Sequence, residues 1–249
     1  MTKNTTQEMS VFNHLEELRK SLLISVLALI FTTVLVYIFQ LDTLLRTLMV
    51  PIEKLGIQPV IIGVTEGFFV RLKVAIFGGI IVALPIIIWQ VLRFVFPALY
   101  SHEKRIVILL MFSGVLLFIG GIIFSYMFVL DMALRLMLIE FSGGLSPFVS
   151  FEKYLSFVIM MLLPFGLVFE TPIIALVLTR VGIITPAIMS KNRKFVIMII
   201  FVLAAILTPP DIISQVFIAV PMFILYEISI FISRIALPKK ESNDLPIEK

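Results

Sequence analysis

Charged residues fall in clusters along this chain, and six runs between the clusters carry almost none. They cover 21–41, 74–92, 106–130, 154–179 broken only by Glu170, 195–210, and 212–233 broken only by Glu227. Apolar runs of this length predict membrane-spanning helices. In hydrocarbon every backbone N–H and C=O must be bonded within the protein, and no ten-residue alternating pattern suggests a barrel, so an all-α membrane protein of six transmembrane helices is expected. The fifth run extends only about 24 Å as a helix, against about 30 Å of hydrocarbon. The last two helices, joined by the turn Thr208, Pro209, Pro210, Asp211, are therefore expected to be short.

Between the first two runs, Leu41, Leu44, Leu45, Leu48, Ile52 and Leu55 recur at spacings of three and four, which predicts an interfacial helix with one apolar face. Ala75, Gly79 and Ala83, four apart, form a small-residue strip that lets another backbone approach. Pro85, Pro164, Pro172 and Pro221 each delete a backbone donor inside a run and tend to bend the helix there. Bent helices predict a concave bundle.

Composition agrees: 60% of the residues are hydrophobic, 14% are charged and the mean hydropathy is +1.14. One transmembrane domain over 1–240 is expected, with a polar cytoplasmic tail over 241–249. Orientation follows from the lysines and arginines. Lys3, Arg19, Lys20; Arg93, Lys104, Arg105; Arg180, Lys191, Arg193, Lys194; and Arg234, Lys239, Lys240, Lys249 sit on one side, leaving six on the other. Basic loops stay inside, so both termini are expected in the cytoplasm. The first run is longer than a signal-peptide core and lacks a small-residue cleavage site after it, so it reads as a retained span. With no cysteine there are no disulfides or thiolate metal sites.

Glu170 falls about 15 Å from the inner end of the fourth run, close to mid-membrane. A charge there costs roughly 2.5 to 3.5 kcal/mol, so the side chain should face a groove or a partner rather than lipid. Together with Glu227 it suits a proton relay, and a proton-coupled secondary transporter is the competing function. No internal repeat supports that reading. Catalytic constellations are missing: His14 and His102 form no metal pair, Gly144, Leu145 and Ser146 start a nucleophile turn that Pro147 spoils, and no phosphate-binding glycine loop occurs. An enzyme is not expected, nor a cofactor or a nucleic-acid partner.

Two further segments carry chemistry. HLEELRK at 14–20 predicts a helix leading into the first span, with Asn13 as N-cap and Glu16 pairing Lys20 one turn on, which leaves Glu17 over. FVFPALYSHEKR at 94–105 mixes aromatic, proline and charged residues, with Glu103 near the membrane.

HLEELRK, FPALYSHEKR, FGLVFETP, LTPPD followed by Ser214 and Gln215, and YEISIF occur in that order, and together they resemble TatC, the multispanning subunit of the twin-arginine protein translocase. The likeness covers about residues 13–235. It implies a receptor in the bacterial cytoplasmic (inner) membrane that binds signal peptides bearing an arginine pair. Glu17, Arg19, Phe94 and Glu103 match the family's recognition surface. Carboxylates accept the planar guanidinium fork bidentately, and lysine cannot reproduce both bonds. The resemblance also implies TatA- and TatB-type single-span partners, other copies of the chain, and export driven by the proton-motive force. Glu170, Thr208, Asp211 and Gln215 match positions linked to partner docking, and Pro51 matches the family's loop proline. Ser21 departs from the family, where many relatives carry a base.

Overall fold

The computed structural model describes residues 4–95, 104–141, 143, 147–207 and 212–236, and these are helical nearly throughout. The helices are α1 (Asn4–Phe39), α2 (Leu41–Glu53), α3 (Glu66–Val95), α4 (Lys104–Phe124), α5 (Leu130–Arg135), α6 (Phe151–Phe169), α7 (Thr171–Arg180), α8 (Pro186–Lys191), α9 (Arg193–Leu207) and α10 (Ile212–Ala236). Two π-helical turns, Ser125–Val129 and Leu136–Glu140, carry α4 on through α5. The only strand-like feature among the described residues is a parallel bridge between Val60 and Ser150.

Among the described residues five helical stretches are long and apolar enough to cross a membrane: Leu15–Phe39, Glu66–Phe94, Val107–Glu140, Phe151–Arg180 and Gln215–Ile235. This is a multi-pass membrane protein. α9, at 15 residues, is short as expected. α10 is not: its 25 residues rise about 37 Å, which corrects the expectation that both final helices are short. Only the fifth run is short; the sixth, 212–233, already carries enough apolar residues to cross the membrane, and Glu227 within it is paired with an arginine of α9. A second correction concerns Asn13. It lies inside α1 rather than at a helix start, since 4–13 contains no glycine or proline to stop the helix.

α1 and α3 make the closest helix pair. Ala75 and Ala83 have no exposed surface, and a Cβ placed on Gly79 would stand 2.9 Å from the Thr33 backbone. The small-residue strip thus does what its spacing predicts. In the same contact the Thr32 hydroxyl lies 2.9 Å from the Gly79 carbonyl of α3 and 2.9 Å from the Ala28 carbonyl of its own helix. α2 lays its predicted apolar face inward: Leu41, Leu48 and Ile52 are buried, joining Leu130, Leu134, Tyr154 and Leu155 in one core.

The end of the bundle away from the start of α1 is tied by polar bonds. Val60 donates to Val149 and accepts from Phe151, both at 2.9 Å. Glu66 accepts from the Ile62 amide at 2.7 Å and from Ser150 at 2.9 Å. Lys73 of α3 donates to Glu152 at 2.7 Å and to Ser156 at 3.0 Å on α6.

Pro51 sits inside α2 without an N–H for the carbonyl of Thr47, four residues back. The Tyr126 hydroxyl donates to that carbonyl at 2.6 Å, and Tyr154 donates to the next one, Leu48, at 2.7 Å. Tyr126→Phe is therefore expected to destabilise the fold by about 1 kcal/mol, because the Thr47 carbonyl loses its donor. In a Pro51→Ala background, where the new amide can serve Thr47, the same change should cost little. Thermal melting of the four proteins in detergent measures the difference, and equal costs in both backgrounds would refute the coupling.

Candidate functional site

Glu17, Lys20, Ser21 and Ile24 recur at three- and four-residue intervals and so share one face of α1, as Gln90, Arg93 and Phe94 do on α3. The two helices run antiparallel. Three turns from the Thr32–Gly79 contact, about 16 Å along each axis, come Ser21 and Gln90. Between these faces lies a cavity of about 660 Å³, to which Leu23 also contributes. It offers a carboxylate, an amide, an aromatic ring, two cations and an aliphatic wall. Lys20 is also bound along α1 to Glu16, at 2.8 Å, as its spacing predicts.

Two of the four residues expected to recognise a peptide, Glu17 and Phe94, are thus brought together from separate helices. Arg19 is exposed and does not line the cavity, since two residues from Glu17 means about 200° around the helix. Glu103 lies outside the described residues, as do Thr208 and Asp211 of the expected docking set. The fourth member of that set, Gln215, reaches from α10 to α9, where its amide donates to the Phe201 carbonyl at 3.0 Å. Gln90 escaped the sequence reading, although it is the one side-chain amide in the run 74–92.

Glu170 stands at a break between α6 and α7. Pro172 has no N–H for the Val168 carbonyl, and the Thr171 hydroxyl donates to that carbonyl instead, at 2.7 Å. The sequence ETP is thus a built interruption, with Glu170 as the residue between helices at φ −75°, ψ −13°. Its side chain is buried at 8% exposure, and Oε1 has no hydrogen-bond partner among the described residues. A Cβ on Gly114 would come within 3.2 Å of Oε2, so the missing side chain on α4 makes room for the carboxylate. Ile88 of α3 closes the same corner.

Glu227 differs. Arg193, across on α9, donates to it at 2.8 Å, while Arg234, the nearer cation in sequence, donates to Ser190 at 3.0 Å. A carboxylate held by an arginine is a poor relay member, which removes half of the transporter reading. No cluster of three or more histidine, aspartate or glutamate side chains suited to a metal ion occurs among the described residues.

The fold and cavity define a multi-pass helical membrane protein with a polar cleft at one rim and a buried carboxylate at a helix break. A family model described as "Sec-independent protein translocase protein (TatC)" matches residues 13–221. Similar proteins include the Sec-independent protein translocase protein TatC of Carboxydothermus hydrogenoformans, 42% identical over 95% of this chain and 97% of its own length. That of Aquifex aeolicus is 39% identical over 94% and 98%. A crystal structure of a twin-arginine translocase receptor, TatC, superposes with a TM-score of 0.79 at 40% identity, covering 90% of this chain and 99% of that one. The chain belongs to the TatC family of Sec-independent protein translocase proteins.

The Arg193–Glu227 pair generates a stability prediction. Its side chains are 43% and 34% exposed, so solvent screens it in part. Arg193→Ala should cost about 1 to 2 kcal/mol by leaving a half-buried carboxylate unpaired, and Glu227→Gln added to it should recover part of the loss. Melting temperatures of the single and double variants test this; an uncorrected loss in the double variant would contradict it.

Proposed function

We propose that this chain is the receptor and core subunit of a twin-arginine translocase in the bacterial cytoplasmic membrane. It crosses the membrane six times, with α9 as the additional short span and both termini in the cytoplasm. Residues 1–240 act as one transmembrane domain and 241–249 as its cytoplasmic tail. Fourteen of the twenty lysines and arginines fall in the segments that the charge pattern assigns to the cytoplasmic side, and the starts of α1 and α9 are among those segments, which supports this orientation.

The observation that carries the reading is the cavity between α1 and α3, where Glu17 meets Phe94 beside an aliphatic wall. Glu17 and Glu103 take the guanidinium groups of an arginine pair, and Phe94 with Leu23 and Ile24 takes an apolar side chain of the same peptide. Arg19 contributes to the charge pattern of the rim. The apolar part of the signal peptide then lies along the concave bundle. Single-span subunits of the TatA and TatB type dock through Glu170, Thr208, Asp211 and Gln215, further copies of the chain join the complex, and the proton-motive force drives export of the folded cargo.

Two outcomes test this. A photocrosslinker at position 103 should capture a nascent arginine-pair signal peptide at least about tenfold more strongly than its lysine-pair version, because lysine cannot fill both carboxylate oxygens. Equal capture of the two would overturn the recognition mechanism. Glu170→Ala should sharply reduce co-purification with the single-span subunits, while Glu170→Gln keeps part of it because an amide still hydrogen-bonds. Undiminished association of the alanine variant would exclude a shared polar site.

A further inference from the structure

Gln90 is buried at 7% exposure on the α3 wall of the cavity, and its Oε1 has no hydrogen-bond partner among the described residues. An amide oxygen enclosed this way leaves a protein–water bond unreplaced, and natural folds rarely tolerate that without a use for it. The neighbouring donors do not relieve it. Lys20 is turned to Glu16, and Arg93 makes no bond to it. The Gln90 side chain lines an open volume large enough for a long side chain, and its orphan oxygen, sealed while that volume is empty, reaches it by a turn about the soft terminal torsion of the amide.

We propose that Gln90 is a specificity-determining residue for the peptide, accepting through Oε1 one guanidinium N–H of an arginine whose charge is met by Glu17 on the opposite wall. This rests on the reading of the cavity as the signal-peptide site and adds to it a neutral acceptor that the charge pattern does not reveal. A guanidinium carries five N–H groups directed outward in one plane, and a carboxylate takes two. The donors left over point to other quarters of the same plane, so one arginine can bridge an acid on α1 and an amide on α3. An ammonium is compact and rotates freely; it satisfies the acid and has no fixed second arm. Discrimination between arginine and lysine is thus shared between both walls, with Gln90 reading hydrogen-bond geometry and Glu17 reading charge.

Binding of a fluorescent arginine-pair peptide to the purified full-length protein in detergent tests the proposal, by anisotropy, with wild type, Gln90→Met and Gln90→Glu. Gln90→Met matches the length of glutamine and removes the acceptor. It should weaken the arginine-pair peptide about tenfold and the lysine-pair peptide less than about twofold. Gln90→Glu keeps the acceptor and should bind the arginine pair at least as tightly as wild type. A peptide with asymmetrically dimethylated arginines, which keep their charge and lose donors, should be insensitive to Gln90→Met. Melting curves accompany each variant, and Gln90→Met should melt no lower than wild type because an unsatisfied acceptor is gone. Wild-type affinity of Gln90→Met for the arginine pair, or an equal loss for both peptides, would overturn the proposal. Should Gln90→Met not fold, loss of arginine-pair binding by Gln90→Glu overturns it instead. Failure of the underlying site shows differently: wild type would then bind the two peptides alike, and Glu17→Ala would change neither.

Discussion

Hydrocarbon supplies no hydrogen bonds, so a proline in a membrane-associated helix leaves a carbonyl that the protein must satisfy itself. Two such carbonyls show how this chain does so. Val168, which Pro172 cannot serve, accepts within its own segment from a backbone N–H at the helix end and from the Thr171 hydroxyl, and the helix breaks without leaving that carbonyl bare. Thr47, stranded by Pro51, is served from across the bundle by Tyr126, which sits in a π-helical turn, and Tyr154 binds the neighbouring Leu48 carbonyl. The local solution fixes a bend. The distant one fixes a helix: α2 is held onto the core both by its leucines and by two tyrosine hydroxyls from other segments.

The break before Pro172 decides where Glu170 stands, and Gly114 decides that there is room for it. The polar side chains then divide into two groups. Glu227, Lys73 and Glu66 each meet a partner within the chain and hold elements together. Glu170 and Gln90 are buried at 8% and 7% exposure, and each retains an orphan oxygen, as the hydroxyls of Thr179 and Ser233 do. Burial without satisfaction is costly, and a costly arrangement is informative about what the site receives.

Much of this was legible because helical periodicity is local. Five of the spans, the inward face of α2, the Glu16–Lys20 pair and the Ala75, Gly79, Ala83 strip all follow from spacings within a few turns. What escaped depends on partners distant in sequence. Arg193 and Glu227 are 34 residues apart, while Arg234, seven residues on, is bound to Ser190. The expectation of a short α10 carries the length of the fifth run over to its neighbour across the turn, although the run 212–233 is itself long enough to cross. Gln90 passed as neutral because a search for charge overlooks an amide, although a lone amide in an apolar run shares the need for a partner.

The cavity itself follows from where close packing stops. Small residues every fourth position on α3 let α1 approach at Ala75, Gly79 and Ala83, and the next positions in that register are Ile87 and Val91. Branched side chains do not reproduce the contact that puts Gly79 against the Thr33 backbone, and the cavity lies further along, at Gln90, Arg93 and Phe94. Pro85 falls at this transition and deletes the α3 amide that would bond the Ile81 carbonyl, which allows the helix to turn away. The cleft between the two long helices holds Glu17 on one wall and Gln90 on the other. In the proposed receptor a planar guanidinium reaches both walls at once and a rotating ammonium does not. On that proposal, selectivity for arginine begins in the packing of glycine against threonine three turns away, where the two helices are brought together.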